Sequence, residues 1–276
     1  MTAPPYKSIL VAAATSSPRF HEVLAEANRI ARRFGARLDI IYAGKKDGET
    51  EEKFSTATKK LNLPADTAIH YAGGRGEVAS SIISAASQLK ADLLIAGALE
   101  KPAPLRQFLG NVARRLVREA ACSVMLFTKP EVEPKPLRHM VFMAEFSDQA
   151  LRALRQTLHL AEQENCERLY VVRSYTSFDK VRAARRGKAA KESARTLDEE
   201  ELALQEFVLS AGETKVPIEA RSIRGSTGFS ASDFVQSVEA NLLIVPVEAR
   251  PEPKPKLSTR ISWVTDVIPC NLWIVR

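Results

Sequence analysis

The chain is poor in the residues that disulfide and metal chemistry require. It contains 3 cysteines and 4 histidines in 276 residues. The cysteines form no C-x-x-C pair, and the histidines lack the spacing of metal ligands. Cys122 and Cys270 stand at equivalent places just before two predicted strands, where a small buried hydrophobe fits. We therefore expect neither a disulfide framework nor a metal site.

Long apolar runs and catalytic motifs are also missing. No run approaches the roughly 20 apolar residues that a membrane span needs, and the N-terminus lacks the pattern of a signal peptide. These two absences predict a cytoplasmic protein. Serine-containing fragments such as Gly225-Ser226 lack the strand-turn-helix context of a nucleophilic serine. We therefore predict no catalytic residues.

The chain does contain an internal repeat. SILVAAATSS, a helical run and ARLDIIYAG recur as HMVFMAEFSD, a helical run and ERLYVVRSY, at a constant offset of 131 residues (Ile9 to Met140, Leu38 to Leu169). Farther along, KADLLIAG matches EANLLIVP at an offset of 149 residues (Gly97 to Pro246). The repeat predicts two domains of one fold, residues 1–131 and 132–276, with the proline-rich segment 130–136 as linker.

Strands and helices alternate within each half. SILVAAA is a continuous apolar run, which is typical of a strand covered on both faces. Ser17 and Pro18 then predict the N-cap and first position of a helix, and Gly35 predicts its end. Because such an alternation produces parallel crossovers, we expect two similar doubly wound α/β domains, each with a mainly parallel sheet of about five strands flanked by helices.

The loop after DLLIAG is the most informative place for function, because ligands of doubly wound sheets bind at the carboxyl ends of the strands. Gly97 ends this strand, and Gly110 precedes the next helix. Glycine lets the backbone approach a phosphate closely, and the amides of Asn111 and Val112 at the helix start favour an anion.

With these features the chain resembles the universal stress protein family. Nucleotide-binding members carry a glycine, two residues, a glycine, nine residues, and then glycine followed by serine or threonine. ILVA, ADLLIAG and LGNVARRLVREAACSVMLF are also similar to family sequences. The resemblance covers essentially the whole chain twice and implies a tandem member, packed as an intramolecular pseudo-dimer. Because family members commonly dimerise through the last strand, we expect Ser123–Phe127 to pair with residues 272–275.

The chain departs from the family's binding pattern at several positions. Gly97 and Gly110 are kept, but Glu100 replaces the middle glycine, Asn111 replaces the serine or threonine, and the family's aspartate after the first strand falls on Ala14. A carboxylate about 5 Å from a phosphate costs about 3 kcal/mol at an effective dielectric constant of 20, more than the roughly 1 kcal/mol of one lost hydrogen bond. We therefore expect a degenerate adenine-nucleotide site.

Lys101 and Arg106 lie in the same loop and could offset the charge of Glu100. The candidate binding residues of the first half are Ala12, Ala14, Ala43, Gly97, Lys101, Arg106, Gly110, Asn111 and Val112. The resemblance implies ATP or AMP as ligand, with or without Mg²⁺, and leaves its identity open. It implies a non-catalytic stress-response protein that acts by ligand binding or protein interaction. The alternative is an ATP- or AMP-binding member with slow hydrolysis.

The second half has lost more of the pattern. Pro246 replaces the first glycine, and Ser258 and Thr259 stand in place of Gly110 and Asn111. Proline has no N–H to offer a phosphate. Glu145 occupies the aspartate position, where a solvated carboxylate is the favoured interpretation. We expect no nucleotide site in this half.

The second half also carries a charged insert near residues 178–201. The two repeat offsets, 149 and 131, differ by 18 residues, and the insert is basic first and acidic afterwards. With a net charge of +7, a charge-driven nucleic-acid or anionic-surface binder is a third alternative. A solvated charged segment is favoured because aromatic residues are not interleaved with the charges, so nucleic acid is not the expected partner. We expect a monomer with pseudo-twofold symmetry or a homodimer, with an unidentified protein partner.

Overall fold

The computed structural model describes residues 5–73, 77–98, 109–175, 197–224, 228–247 and 268–276. Within these ranges the structure has ten strands and seven helices, which alternate except where β5 (Ser123–Phe127) is followed by β6 (His139–Met143) and β9 (Leu242–Pro246) by β10 (Asn271–Val275). They fall into two units, and the last strand of the chain belongs to the first unit. The domain boundary that the repeat predicts, between residues 131 and 132, stays a prediction.

The elements of the first unit are β1 (Ser8–Ala12), α1 (Phe20–Phe34), β2 (Arg37–Tyr42), α2 (Gly48–Lys60), β3 (Ile69–Tyr71), α3 (Val78–Gln88), β4 (Leu93–Gly97), α4 (Asn111–Glu119), β5 (Ser123–Phe127) and β10 (Asn271–Val275). Those of the second unit are β6 (His139–Met143), α5 (Asp148–Gln163), β7 (Arg168–Tyr175), α6 (Leu197–Leu209), β8 (Ile218–Arg224), α7 (Gly228–Ser237) and β9 (Leu242–Pro246). None of the helices in the described part is long and apolar enough to cross a membrane.

The sheet of the first unit is parallel over its first five strands, in the order β3-β2-β1-β4-β5. Ile9 in the central strand lies opposite Leu38 on one side and Leu93 on the other. β10 then joins β5 in antiparallel orientation, with Trp273 opposite Met125. The predicted pairing of the two last strands is confirmed.

The second unit repeats this arrangement in the order β9-β6-β7-β8, again all parallel. Met140 lies opposite Leu169 and Leu242. These three residues are the repeat equivalents of Ile9, Leu38 and Leu93, in that order. The predicted fold class, two similar doubly wound α/β domains, is confirmed. Their strand interiors are almost fully buried, as expected for sheets covered by helices.

The ends of α1 test two sequence signals. Gly35 ends the helix with a left-handed φ of 62°, and its N–H donates to the carbonyls of Ala31 and Arg32, as predicted. The predicted start is wrong, because α1 begins at Phe20 with Arg19 as N-cap. The Ser17 hydroxyl accepts the Arg19 amide at 3.2 Å, and the Ser17 carbonyl accepts the Phe20 amide at 3.2 Å. Ser17 therefore closes a turn that precedes the helix.

Aromatic and polar contacts attach β10 to the first unit. The Trp273 ring is fully buried, with its centroid 6.0 Å from that of Tyr6 and 5.8 Å from that of Phe34. The Ser123 hydroxyl accepts hydrogen bonds from the Tyr6 hydroxyl at 2.9 Å and from the Arg276 amide at 3.1 Å. The last strand of the second repeat is thus built into the core of the first unit.

Candidate functional site

The carboxyl ends of β1 and β4 lie side by side at one edge of the first sheet. Ala12, the last residue of β1, is in register with Ala96 in β4. After β1 the Ala13 amide donates to the Ile41 carbonyl at 3.1 Å, and Ala14 follows in an exposed position. Small side chains therefore occupy the strand ends at which a ligand of this fold class binds.

A hydrogen bond brings the start of α4 to the same place. The Gly110 amide donates to the Ala98 carbonyl at 3.0 Å, and the Ala98 amide donates to the Phe127 carbonyl at 2.9 Å. Gly110 and the end of β4 are consequently adjacent, although eleven residues separate Gly110 from Ala98 along the chain. Glu100, Lys101 and Arg106 lie outside the described residues.

The first turn of α4 provides backbone donors at this edge. Gly110 is the N-cap, with φ −59° and ψ 157°, and Asn111 and Val112 are the first two helical residues. The amides of a first helical turn have no acceptors within their own helix, and the helix dipole adds partial positive charge there. No acidic residue lies in this turn. The arrangement is one that can hold a phosphate group.

Neither glycine of the motif is required by the backbone. Only Gly35 and Gly212 have a positive φ among the described glycines. A Cβ on Gly97 would meet Val23 Cγ2 at 3.4 Å, which is an ordinary contact. An alanine would fit the fold at position 97, so the absence of a side chain there bears on access to the backbone rather than on folding.

An aromatic cluster lies beside Ala43, which directly follows β2. The Tyr42 ring centroid is 5.7 Å from that of Phe54 and 6.2 Å from that of Tyr71. A Cβ on Gly44 would collide with the Tyr42 ring, so glycine is needed for this ring position. The sequence reasoning did not select these aromatic residues, although Tyr42 and Tyr71 each end a strand pattern. They provide apolar rings close to the position of Ala43.

Of the nine predicted site residues, seven lie at this edge of the first sheet: Ala12, Ala14, Ala43, Gly97, Gly110, Asn111 and Val112. The other two, Lys101 and Arg106, fall in the part of the chain outside the described residues.

The equivalent strand ends of the second unit carry larger side chains. Met143, Glu145 and Phe146 stand where the first unit has alanine, alanine and threonine. The Arg173 guanidinium lies 4.6 Å from the Phe146 ring centroid, and its Nη1 donates to the Ala144 carbonyl at 3.2 Å. Arg173 also lies 3.7 Å from a carboxylate oxygen of Glu200. Protein side chains thus contact the strand-end backbone here.

Pro246 ends β9 as the sequence predicts, and it offers no N–H at this edge. Ser258 and Thr259 lie outside the described residues.

Other ionisable groups of the described residues do not form a metal cluster. No set of three or more histidine, cysteine, aspartate or glutamate residues within them could hold a metal ion. Burial raises the pKa of the Cys166 thiol to about 11 and also raises the pKa of the Cys122 thiol. Because the thiolate is the reactive form of cysteine, both thiols are poor nucleophiles near neutral pH.

The repeated doubly wound fold, with a helix start at the end of the fourth strand, agrees with a family comparison. The model of the universal stress protein family matches residues 43–128 and 136–276. The chain therefore belongs to the universal stress protein family, and it carries the family's domain twice.

Individual relatives agree with this assignment. A universal stress protein of Methanocaldococcus jannaschii is 30% identical over 146 residues, which cover 46% of this chain and 85% of that protein. A functionally unknown protein from Pseudomonas aeruginosa PAO1 has a similar structure, with a TM-score of 0.72 and 14% identity over 99% of this chain and 93% of that one. A universal stress protein from Archaeoglobus fulgidus DSM 4304 has a TM-score of 0.60 and 11% identity, over 97% and 98%. These two structures show a shared fold.

Proposed function

We propose that the protein acts in the stress response by binding rather than by catalysis, and that its first unit binds an adenine nucleotide. The hydrogen bond from the Gly110 amide to the Ala98 carbonyl carries this proposal. It holds the amino-terminal turn of α4 beside the ends of β1 and β4, where a nucleotide phosphate would be favoured.

The described residues of this site offer contacts to the phosphates and to the base of a nucleotide, but not to its ribose. The phosphates would lie against the amides of Asn111 and Val112, and the base would lie near Ala43 and the Tyr42 ring. Ala14 has no polar side-chain atom for the ribose. ATP, whose triphosphate gains most from the helix start, is therefore preferred to AMP, with Mg²⁺ neutralising part of its charge.

The duplicated second unit supports this assignment as an internal comparison. It has the same strand order around its central strand but carries Phe146 and Arg173 at the strand ends, and Pro246 in place of Gly97. We therefore propose one nucleotide per chain, bound to the first unit.

Calorimetric titration with Mg-ATP tests the proposal. The negative charge of Glu100 should oppose phosphate binding, and a variant without it gives the comparison. In the variant Glu100→Gly, Asn111→Ser the repulsion is removed and a hydroxyl is added at the helix start. Loss of 1.4 kcal/mol or more of penalty should increase the affinity at least about tenfold relative to the parent.

The matched control changes the equivalent loop of the second unit, Pro246→Gly with Ser258→Gly, and should alter the affinity much less. Equal affinity of the parent and the first-unit variant would show that the carboxylate does not limit binding. If neither protein bound ATP or AMP, and mass spectrometry of the freshly denatured protein found no nucleotide, the proposed function would be wrong. A phosphate-release assay with ATP on the variant Glu100→Gly, Asn111→Ser should show no turnover above background.

A further inference from the structure

Exposed cations collect at the amino-terminal edge of the first sheet, at the opposite end of the strands from the candidate nucleotide site. Helices α1 and α2 both end there. Arg32 in the last turn of α1 donates from Nη2 to the Asn62 carbonyl at 2.9 Å, and this bond joins the end of α1 to the turn after α2. Lys59 and Lys60 occupy the last turn of α2. Arginine and lysine side chains of two helices therefore lie together.

The strand starts extend this cluster across the sheet. The Arg37 amide, at the start of β2, donates to the Lys7 carbonyl at 2.9 Å. The Lys7 amide donates to Asp92 Oδ2 at 2.8 Å, and Asp92 lies two residues after Lys90. We define the cationic face as six exposed residues: Lys7, Arg32, Arg37, Lys59, Lys60 and Lys90.

The carboxylates of the described residues at this edge do not cancel these charges. Asp39 is buried and lies 2.9 Å from Arg37, so it neutralises one cation. Asp92 accepts the backbone amides of Lys7 and Ser8. Asp66 is exposed in the turn before β3. The edge keeps an excess of positive charge.

The second unit shows that the fold does not need all of these cations. At the repeat equivalents of Arg32 and Lys90 it has Gln163 and Glu239, whereas the equivalents of Lys7 and Arg37 remain basic, as Arg138 and Arg168. The φ angles of Lys90 and Glu239 are 50° and 49°, so the two residues have the same backbone position. The last turns of α5 and α6 contain no basic residue. Compensation of the helix dipole is therefore not a structural requirement at this edge.

We propose that the cationic face binds the phosphodiester backbone of double-stranded nucleic acid without reading its sequence. Lysine and arginine side chains supply contacts of this kind, and they need no apolar centre. The exposed large apolar residues of the described chain are Val78, Val132, Leu202 and Leu209, and none lies on the cationic face. The face therefore lacks the apolar anchors of a membrane or protein interface and the aromatic rings that stack unpaired bases.

Fluorescence anisotropy with a labelled duplex tests this proposal on the full chain. The face variant replaces four of the cations by glutamine: R32Q, K59Q, K60Q and K90Q. The matched control removes the same charge from the insert: R182Q, R185Q, R186Q and K188Q. At about 50 mM salt the face variant should bind at least about tenfold more weakly than the parent, whereas the insert variant should stay within about threefold.

The salt dependence adds a second readout. Each lost phosphate contact reduces the magnitude of the slope of log affinity against log salt by about 0.9. The slope of the face variant should therefore be smaller in magnitude than that of the parent by about 3 to 4. The smaller variant Lys59→Gln, Lys60→Gln should lose about half of that and is available if the fourfold variant has an altered thermal unfolding curve. Several results would overturn the proposal: no duplex binding by the parent at about 50 mM salt, an equal loss in both fourfold variants, or preferential binding to phosphatidylserine vesicles or to polyglutamate.

Discussion

Ser123 shows how one hydroxyl holds the last strand of the chain. It is 1% exposed and accepts hydrogen bonds from the Tyr6 hydroxyl and the Arg276 amide. Burial raises the pKa of the Tyr6 hydroxyl above its usual value, so this group remains a protonated donor. A buried donor without its acceptor is costly, because it has also lost its hydrogen bonds to water.

We predict that Ser123→Ala lowers the free energy of unfolding by about 1 to 3 kcal/mol, since it leaves the Tyr6 hydroxyl without this acceptor. The double variant Ser123→Ala, Tyr6→Phe removes both groups and should cost less than the sum of the single changes, by about 0.5 kcal/mol or more. Urea unfolding of the four proteins measures this coupling. Additive single effects would show that the Ser123–Tyr6 bond does not contribute.

At the scale of single elements, sequence patterns predicted the features that depend on neighbouring residues or that recur in both halves of the chain. The strands were predicted because continuous apolar runs mark buried parallel strands, and the constant offsets predicted which strands correspond. The predicted start of α1 was wrong, because the sequence Ser17-Pro18 is compatible with a turn as well as with the first residues of a helix. The contact of Arg173 with Phe146 could not be predicted, since Arg173 lies in β7 and Phe146 in the loop after β6, and the two come together only in the folded sheet.

Glycine at the end of α1 gives a test at this scale. Gly35 has a φ of 62°, and no atom lies within 4 Å of a Cβ built on it. Gly35→Ala should therefore lower the free energy of unfolding by about 1 to 2 kcal/mol through backbone strain alone. The control is Gly48→Ala in the first turn of α2, where φ is not positive and space is also open. It should be neutral or stabilising by up to about 1 kcal/mol, and thermal unfolding that ranked the two variants in the opposite order would refute this account.

At the scale of the whole molecule, the duplication separates features that the fold requires from features that only one unit keeps. Both units build the same register around a central strand, from Ile9 in one and Met140 in the other. Within the described residues, the small residues Ala12 and Ala14 and the basic helix ends of the cationic face occur in the first unit alone, whereas the basic strand starts recur as Arg138 and Arg168. The spatial grouping of the cations was not predicted from the sequence, because Lys7, Arg32 and Lys90 come together only through the strand order. Only the family resemblance predicted the pairing of β5 with β10.

This pairing makes the first half dependent on the end of the chain. Residues 1–131 contain β5 but not β10, so their expression alone leaves an apolar edge strand whose five residues are all buried in the full protein. Unpaired edges of this kind recruit other chains. We predict that residues 1–131 form a dimer or an insoluble product, as measured by size-exclusion chromatography with light scattering. As a control, residues 268–276 joined to this fragment through a flexible glycine-serine linker should supply β10 and restore a monomer. A well-behaved monomer from residues 1–131 without the added strand would show that β10 is dispensable for the edge.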